Sequence, residues 1–187
     1  MADRHKAKEK RQAELTACLE DNPFLTDEEL AKLFGVSVST IRLDRLELGI
    51  PELRERMRLM AERQFPPIRS LSGGELVGEL ITLEMGRQAI SLMEITDQMV
   101  LAKTRIARGH HLFAQANSLA VAVIDAEVVL TGYARIRFKR PVYIHDKVVA
   151  KAEVVNRKHR VYHVEVTSRV GLQEVFRGKF ILFTKEV

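Results

Sequence analysis

The sequence predicts an α+β protein in two parts: an all-helical N-terminal segment, then an antiparallel sheet wrapped around one long buried helix. Three observations carry this. The apolar residues recur at helical spacing up to about residue 65 and with a period of two from about residue 72. Phe65-Pro66-Pro67 separates the two regimes. Residues 111–124, alone in the second part, are rich in Ala, free of Gly, Pro and charge, and apolar almost all round. A helix of that kind has to be buried on most sides, and at 1.5 Å per residue it spans about 21 Å.

In chain order, Lys8 to Glu20 reads as a first helix with Leu15, Cys18 and Leu19 on one side, stopped by Asn22-Pro23 because the residue before a proline is pushed out of the helical region. Thr26-Asp-Glu-Glu29 has the form of a capping box opening a helix from Asp27 to Phe34. Gly35 closes that helix in the left-handed turn glycine allows. Ser37 then caps a third helix running to about Leu48. Gly49-Ile50-Pro51 breaks it, and Pro51 suits the first position of a fourth, ending near Arg63, whose apolar edge (Leu53, Met57, Met60) must be covered. Strands are expected at 76–83, 88–95, 128–138, 147–155, 160–170 and 174–184, with turns at Met85-Gly-Arg, Asn156-Arg-Lys and Gly171-Leu-Gln. Along 128–138, alternation puts Leu130, Ala134, Ile136 and Phe138 on one face and Tyr133, Arg135 and Arg137 on the other. The division expected is a helical domain over 1–50, a linker helix and Pro-rich boundary over 51–69, and a sheet domain over 70–187.

Composition narrows the function. With 46% hydrophobic and 29% charged residues in 187, a disordered chain is excluded. No apolar run approaches a membrane span, and the charged N-terminus is unlike a secretory leader, so a cytoplasmic protein off the membrane is expected. Cys18 is the one cysteine, which fits a reducing compartment and a small core residue. The net charge of +5 is unevenly placed: residues 1–69 hold 13 basic and 13 acidic residues, residues 70–187 hold 17 and 12. The excess lies in the sheet domain and asks what anionic partner that half meets.

Helix, Gly35 turn, helix is the helix-turn-helix plan, in which the second helix offers its N-terminal residues to base edges while the first crosses the phosphates. Ser37, Ser39 and Thr40 suit phosphate oxygens, and Arg42 and Arg45 reach guanine edges or the backbone. Leu33, Phe34, Val36, Ile41 and Leu46 are the expected core; the competing reading makes the charges at Arg42, Asp44, Arg45 and Glu47 a solvated face. Glu29 through Leu48 closely resembles the helix-turn-helix of winged or DeoR-like regulators. The basic N-terminus (Arg4, Lys6, Lys8, Lys10, Arg11) is either an added phosphate contact or a solubilising end.

A long helix inside an antiparallel sheet resembles the hot-dog fold of acyl-CoA thioesterases and dehydratases. Those enzymes need a carboxylate or histidine in reach of the substrate, yet residues 112–124 hold none; Asp97 precedes them by a loop and Asp125 follows. Gln115, Asn117 and Ser118 hydrogen-bond an acyl group but abstract no proton, so binding is expected and hydrolysis is not. At the entrance, Arg108-Gly109 sets a permanent charge on a tight backbone, which either grips a carboxylate bidentately or caps a surface loop. Adjacent His110 and His111 point apart and make a poor metal pair.

Leu46-Glu-Leu-Gly-Ile-Pro-Glu-Leu-Arg-Glu-Arg-Met57 and Ile106-Ala-Arg-Gly-His-His-Leu-Phe-Ala-Gln-Ala-Asn-Ser-Leu-Ala-Val-Ala-Val-Ile124 closely resemble the FapR family of bacterial transcription factors of fatty acid and phospholipid biosynthesis. The resemblance covers essentially the whole chain. It implies a dimeric repressor with a DeoR-like helix-turn-helix, a linker helix and a non-catalytic hot-dog domain that binds malonyl-CoA and thereby releases a pseudo-palindromic operator, with malonyl-acyl carrier protein as a further possible effector. It implies that Arg108 pairs with the malonyl carboxylate, Gly109 allows close approach, Asn117 hydrogen-bonds the acyl end, and Phe113 and Leu101 (where the family is expected to place an aromatic) line the acyl pocket. Arg56 is the linker's candidate for an extra DNA contact. Arg135, Arg137, Lys139, Arg140, Arg157, Lys158 and Arg160 are candidates for the CoA phosphates. No other cofactor and no metal is expected. The competing function is a hot-dog thioesterase fused to a helical DNA- or partner-binding arm.

Overall fold

The computed structural model describes residues 2–61, 68, 70–71 and 75–185. The chain divides into two compact units, Met1–Arg63 and Gln64–Val187. The expected Phe65-Pro66-Pro67 boundary lies outside the described residues.

The first unit is four helices: α1 Ala2–Asp21, α2 Asp27–Phe34, α3 Val38–Glu47 and α4 Leu53–Ala61. The α2 capping box forms as expected, with the Thr26 hydroxyl accepting from the Glu29 amide and the Glu29 carboxylate accepting from the Thr26 amide. Gly35 ends α2 at φ 64°, a conformation that costs glycine little and a side chain more. Ser37 caps α3 through the Thr40 amide. The basic N-terminus is helix: Arg11 and Gln12 reach the buried Asp44, and Lys8 reaches Glu47, tying α1 to α3.

The core of this unit departs from expectation in two places. Leu15, Leu19, Leu25, Leu30, Ala31 and Ile41 form it, with Phe34, Val36 and Val38 packed against them. Leu33 is exposed, and Leu46 is 73% exposed. The reason is geometric: α1 supplies the lid, so the buried side of α3 is fixed by Ile41, Asp44 and Arg45. Leu46 stands about 140° round the helix from Ile41. The fourth helix begins at Leu53 rather than Pro51: the Glu52 carbonyl accepts from the Arg56 amide, and the Pro51 carbonyl accepts from the Arg56 guanidinium. Leu53 is half-buried and Met57 exposed; the side chain of Met60 lies outside the described residues.

The second unit is one six-stranded antiparallel sheet, β1 Glu79–Glu84, β2 Gln88–Glu94, β3 Val128–Phe138, β4 Lys147–Lys158, β5 Val161–Val170 and β6 Gln173–Lys185, in the order β1-β2-β4-β5-β6-β3. The central helix α5, Gly109–Ala122, starts two residues earlier than expected and packs across β2 to β6. One apolar core joins them, built on Leu112, Ala116, Leu119, Val123 and Ile124 from the helix and its end and on Val148, Val164, Val166, Phe176, Phe180 and Leu182 from the strands. The β1–β2 turn closes the far end of α5, where the Gly86 amide donates to Val123 O at 2.7 Å. Inside, the Gln115 amide nitrogen lies within hydrogen-bond distance of Ser91 O and Val148 O and so ties the helix to β2 and β4.

Along β3 the side chains depart from simple alternation. The β3–β6 register shifts between Thr131 and Tyr133, a bulge that reverses the side-chain alternation. Leu130 therefore points away from the helix and is exposed, while Ala134 packs on the core and Phe138 reaches α5.

Candidate functional site

Each unit carries one candidate surface. On the first, the α2–α3 pair presents Ser39 and Arg42 to solvent, with the Arg42 guanidinium only loosely near Asp27 at 3.4 Å. The hydroxyls of Ser37 and Thr40 lie 2.9 Å apart at the start of α3. Arg45 is placed differently from expectation. It is 6% exposed, grips both oxygens of Asp27 at 2.8 and 2.9 Å, and donates to Ile50 O. Burial would raise the Asp27 carboxyl, but the hydrogen bonds and charges of Arg45 and then Arg42 outweigh it and hold the group below the usual carboxylate range. Asp44 is likewise raised by burial and lowered further by Arg11, Gln12 and Lys8.

Arg56 also moves from surface to interior. It is 7% exposed, and its guanidinium donates to Pro23 O at 3.0 Å, Leu25 O at 2.7 Å and Pro51 O at 2.6 Å. The extra DNA contact expected of it is not available in this arrangement, because its donors are spent on the carbonyls that pin α4 to the α1–α2 turn. Arg45 and Arg56 looked alike in sequence to Arg42, since helical spacing does not reveal which carbonyls and carboxylates will be buried beside a guanidinium.

On the second unit, the chain enters α5 through a tight turn in which the Leu101 amide donates to Ile106 O and the Arg105 amide to Leu101 O, both at 2.8 Å. Arg108 is the N-cap residue of α5. Its amide donates to Met99 O at 2.8 Å, and its exposed guanidinium donates to Gln98 O, which leaves other N–H groups of the fork free to act. Beside it, a Cβ on Gly109 would come within 2.9 Å of the Phe138 ring, so a larger residue here would require that exposed ring to shift. A cavity of about 450 Å³ opens here, lined by Ile106, Ala107, Gly109, Leu112, Phe138, Lys139, Arg140, Pro141 and Val142. Its wall is mainly apolar and its rim cationic. Lys139 is paired with Glu174 at 2.7 Å, whereas Arg140 has no carboxylate partner among the described residues. His111, one turn into α5, is held below its ordinary pKa by burial, then by His110 and Arg108, and its Nε2 is buried with no partner.

The structure thus sets Gly109 in the cavity wall, leaves its neighbour Arg108 exposed at the N-cap and outside that wall, and places three other expected residues elsewhere. Asn117, eight residues further along α5 and so about 12 Å from Gly109, accepts from the Thr131 hydroxyl at 2.8 Å. Phe113 packs at the core edge, its ring 6.1 Å from that of Phe180. Leu101 is 49% exposed on its turn and is absent from the cavity wall. Sequence reasoning missed Ile106, Pro141 and Val142 as lining; Pro141 ending the alternation of β3 was the available signal. Asp97 stands exposed in a short 3-10 turn, paired with Arg105.

Residues 11–57 match the family of DeoR-like helix-turn-helix domains. The chain is 54% identical over 179 residues to the transcription factor FapR of Bacillus subtilis (strain 168), covering 94% of this chain and 95% of that protein. It is 52% identical over 176 residues to the transcription factor FapR of Thermoanaerobacter sp. (strain X514), covering 94% and 88%. Among solved structures it is similar to an uncharacterized protein from Pyrococcus horikoshii, with TM-score 0.61 and 28% identity over 67% of this chain and 97% of the other. It shares its fold with a protein from Streptococcus mutans UA159 bound to acetyl CoA, with TM-score 0.54 and 18% identity over 66% and 97%. The second unit is a hot-dog domain, and the two-part α+β reading of the sequence holds.

Proposed function

Since this chain belongs to the FapR family of transcription factors, we propose that it is a repressor of fatty acid and phospholipid biosynthesis genes, binding a pseudo-palindromic operator as a dimer and leaving it when malonyl-CoA binds. The observation that carries the effector half is Arg108, exposed at the N-cap of an uncharged helix and next in the chain to Gly109, which lines a largely apolar cavity shared with Lys139 and Arg140. A carboxylate that leaves water for an apolar site needs a fixed partner. A planar fork supplies it bidentately, and the helix N-terminus adds favourable field for an anion. Arg140 at the rim suits a CoA phosphate. The amide nitrogen of Asn117, which makes no hydrogen bond among the described residues, is a donor for the acyl end.

The DNA half rests on Ser37, Ser39, Thr40 and Arg42 at the start of α3. Two such helices in a two-fold dimer read two half-sites. Malonyl-CoA acts by binding the DNA-free arrangement better than the DNA-bound one, since an effector shifts an equilibrium only by its differential affinity. The thioesterase reading is weaker because α5 carries no carboxylate and its two histidines, His110 and His111, are confined to its first turn and have no carboxylate partner among the described residues.

The test is a DNA-release titration with malonyl-, acetyl- and succinyl-CoA on the wild-type protein and on Arg108→Ala. Malonyl-CoA should release the wild type, and the variant should bind DNA normally and ignore the effector. Arg108→Lys should recover little, because a point charge does not reproduce the fork. Release of Arg108→Ala at wild-type malonyl-CoA concentrations overturns this assignment, and free thiol appearing from malonyl-CoA would favour the enzyme.

A further inference from the structure

Two leucines stand in water on the outward face of α3, where a short solvated helix has no use for them. Leu43 is 60% exposed and Leu46 73%. The buried side of this helix is set by Ile41, Asp44 and Arg45. Leu43 lies about 200° round from Ile41, nearly opposite. Ser39, Arg42, Leu43 and Leu46 fall at spacings of three and four and make one continuous outward stripe. Polar atoms start the stripe at the end nearest Ser37, and apolar carbon continues it.

The exposed apolar face is therefore continuous with the face assigned to DNA, and this inference rests on that reading. A base edge offers one apolar group, the C5-methyl of thymine, in the major groove. A leucine has no donor or acceptor, so it does not discriminate bases by hydrogen bonds. We propose that Leu43 is a specificity-determining residue of the helix-turn-helix, reading a thymine methyl group in each half-site beside the base contacted by Arg42. Leu46 lies one turn further from the N-terminus and extends the same apolar contact. Recognition then has two components on one helix: a charged contact by Arg42 and a methyl contact by Leu43. Arg45, expected to reach a base or the backbone, and Arg56, expected to add a DNA contact, take no part because they are buried against Asp27 and main-chain carbonyls.

The test uses the full-length wild-type protein and a duplex that it enriches from a random library. Each thymine is replaced in turn by uracil, which keeps every hydrogen-bonding group and removes only the methyl. Uracil at the contacted position in one half-site should weaken binding about fourfold, the equivalent of one buried methyl group, and in both half-sites about sixteenfold. Leu43→Ala, which alters both half-sites, should bind the unmodified duplex at least as weakly as the wild type binds the doubly substituted one, and should not distinguish the two. Indifference of the wild type to uracil at every position overturns the proposal, as does undiminished uracil sensitivity in Leu43→Ala. If Leu43→Ala binds DNA normally but loses a protein contact, the stripe is a protein-docking face and the proposal also fails. Failure to enrich any duplex would instead remove the DNA-binding reading on which it stands.

Discussion

The two units solve the same problem with opposite means. Among the described residues of the sheet unit, 25 buried hydrophobic residues form one cluster, and the buried polar ones are the uncharged Ser91, Gln115, Ser118 and Ser168. Among those of the helical unit the core has six buried hydrophobic residues, and Asp44, Arg45 and Arg56 are buried beside it. A domain of about sixty residues buries too little apolar surface to be held firmly by it alone. Here guanidinium forks on Asp27, Asp44 and three carbonyls link all four helices. Such pairs add little net energy over a hydrophobic substitute, yet breaking one leaves an uncompensated charge and costs far more. The helical unit therefore has its arrangement enforced by charge, whereas the sheet unit carries its cations outside, where a ligand reaches them.

The comparison breaks most visibly at Phe180. This ring is fully buried between α5 and the sheet, and Phe180→Ala should cost about 3–5 kcal/mol. Amide exchange should rise throughout the sheet unit and stay unchanged in the helical one. Arg45→Ala should do the reverse: about 3 kcal/mol lost in the helical unit, the lower end for a buried pair because Asp27 keeps Arg42. Arg42→Ala separates the two roles, since it should weaken DNA binding by about 1–3 kcal/mol with little change in melting. Equal destabilisation by both variants would show that Arg42 shares the structural duty assigned to Arg45. The smallest effect is on the sheet surface. Arg177 first, then Lys139, lowers Glu174 to about 2 from 4.5, against the opposing effect of burial. A depressed carboxyl contributes stability that is present above its unfolded pKa and lost as pH falls through its folded value. The contribution should fade between about pH 4.5 and 2, and Glu174→Gln should flatten that part of the melting profile.

Much of the fold was legible because its signals are local. The Thr26–Glu29 box, Gly35 and Ser37 each act within four residues, so α2 and α3 were bounded correctly before any packing was known. Period-two alternation located all six strands, and the uncharged run ending at Ile124 located the central helix. Leu130 was misassigned because a bulge inserts one residue and reverses every side chain before it, a choice made by the β3–β6 pairing rather than by β3. At the candidate sites, Arg108 and Gly109 were marked by their chemistry at a helix start, whereas Phe138 meets Gly109, and Pro141 joins it in lining the cavity, only because of where β3 pairs in the sheet.

By itself, then, the sequence determined the helix caps, the strand positions, the missing carboxylate and the Arg-Gly entrance, since each depends on neighbours a few bonds away. Only tertiary structure decided which of three similar arginines stays exposed. Arg42, Arg45 and Arg56 have the same guanidinium and the same helical setting. Asp27, which sits fifteen or more residues away, captures Arg45, and the carbonyls of Pro23 and Leu25 capture Arg56. A guanidinium's role follows from the acceptors brought to it, and those are assembled only when the helices pack.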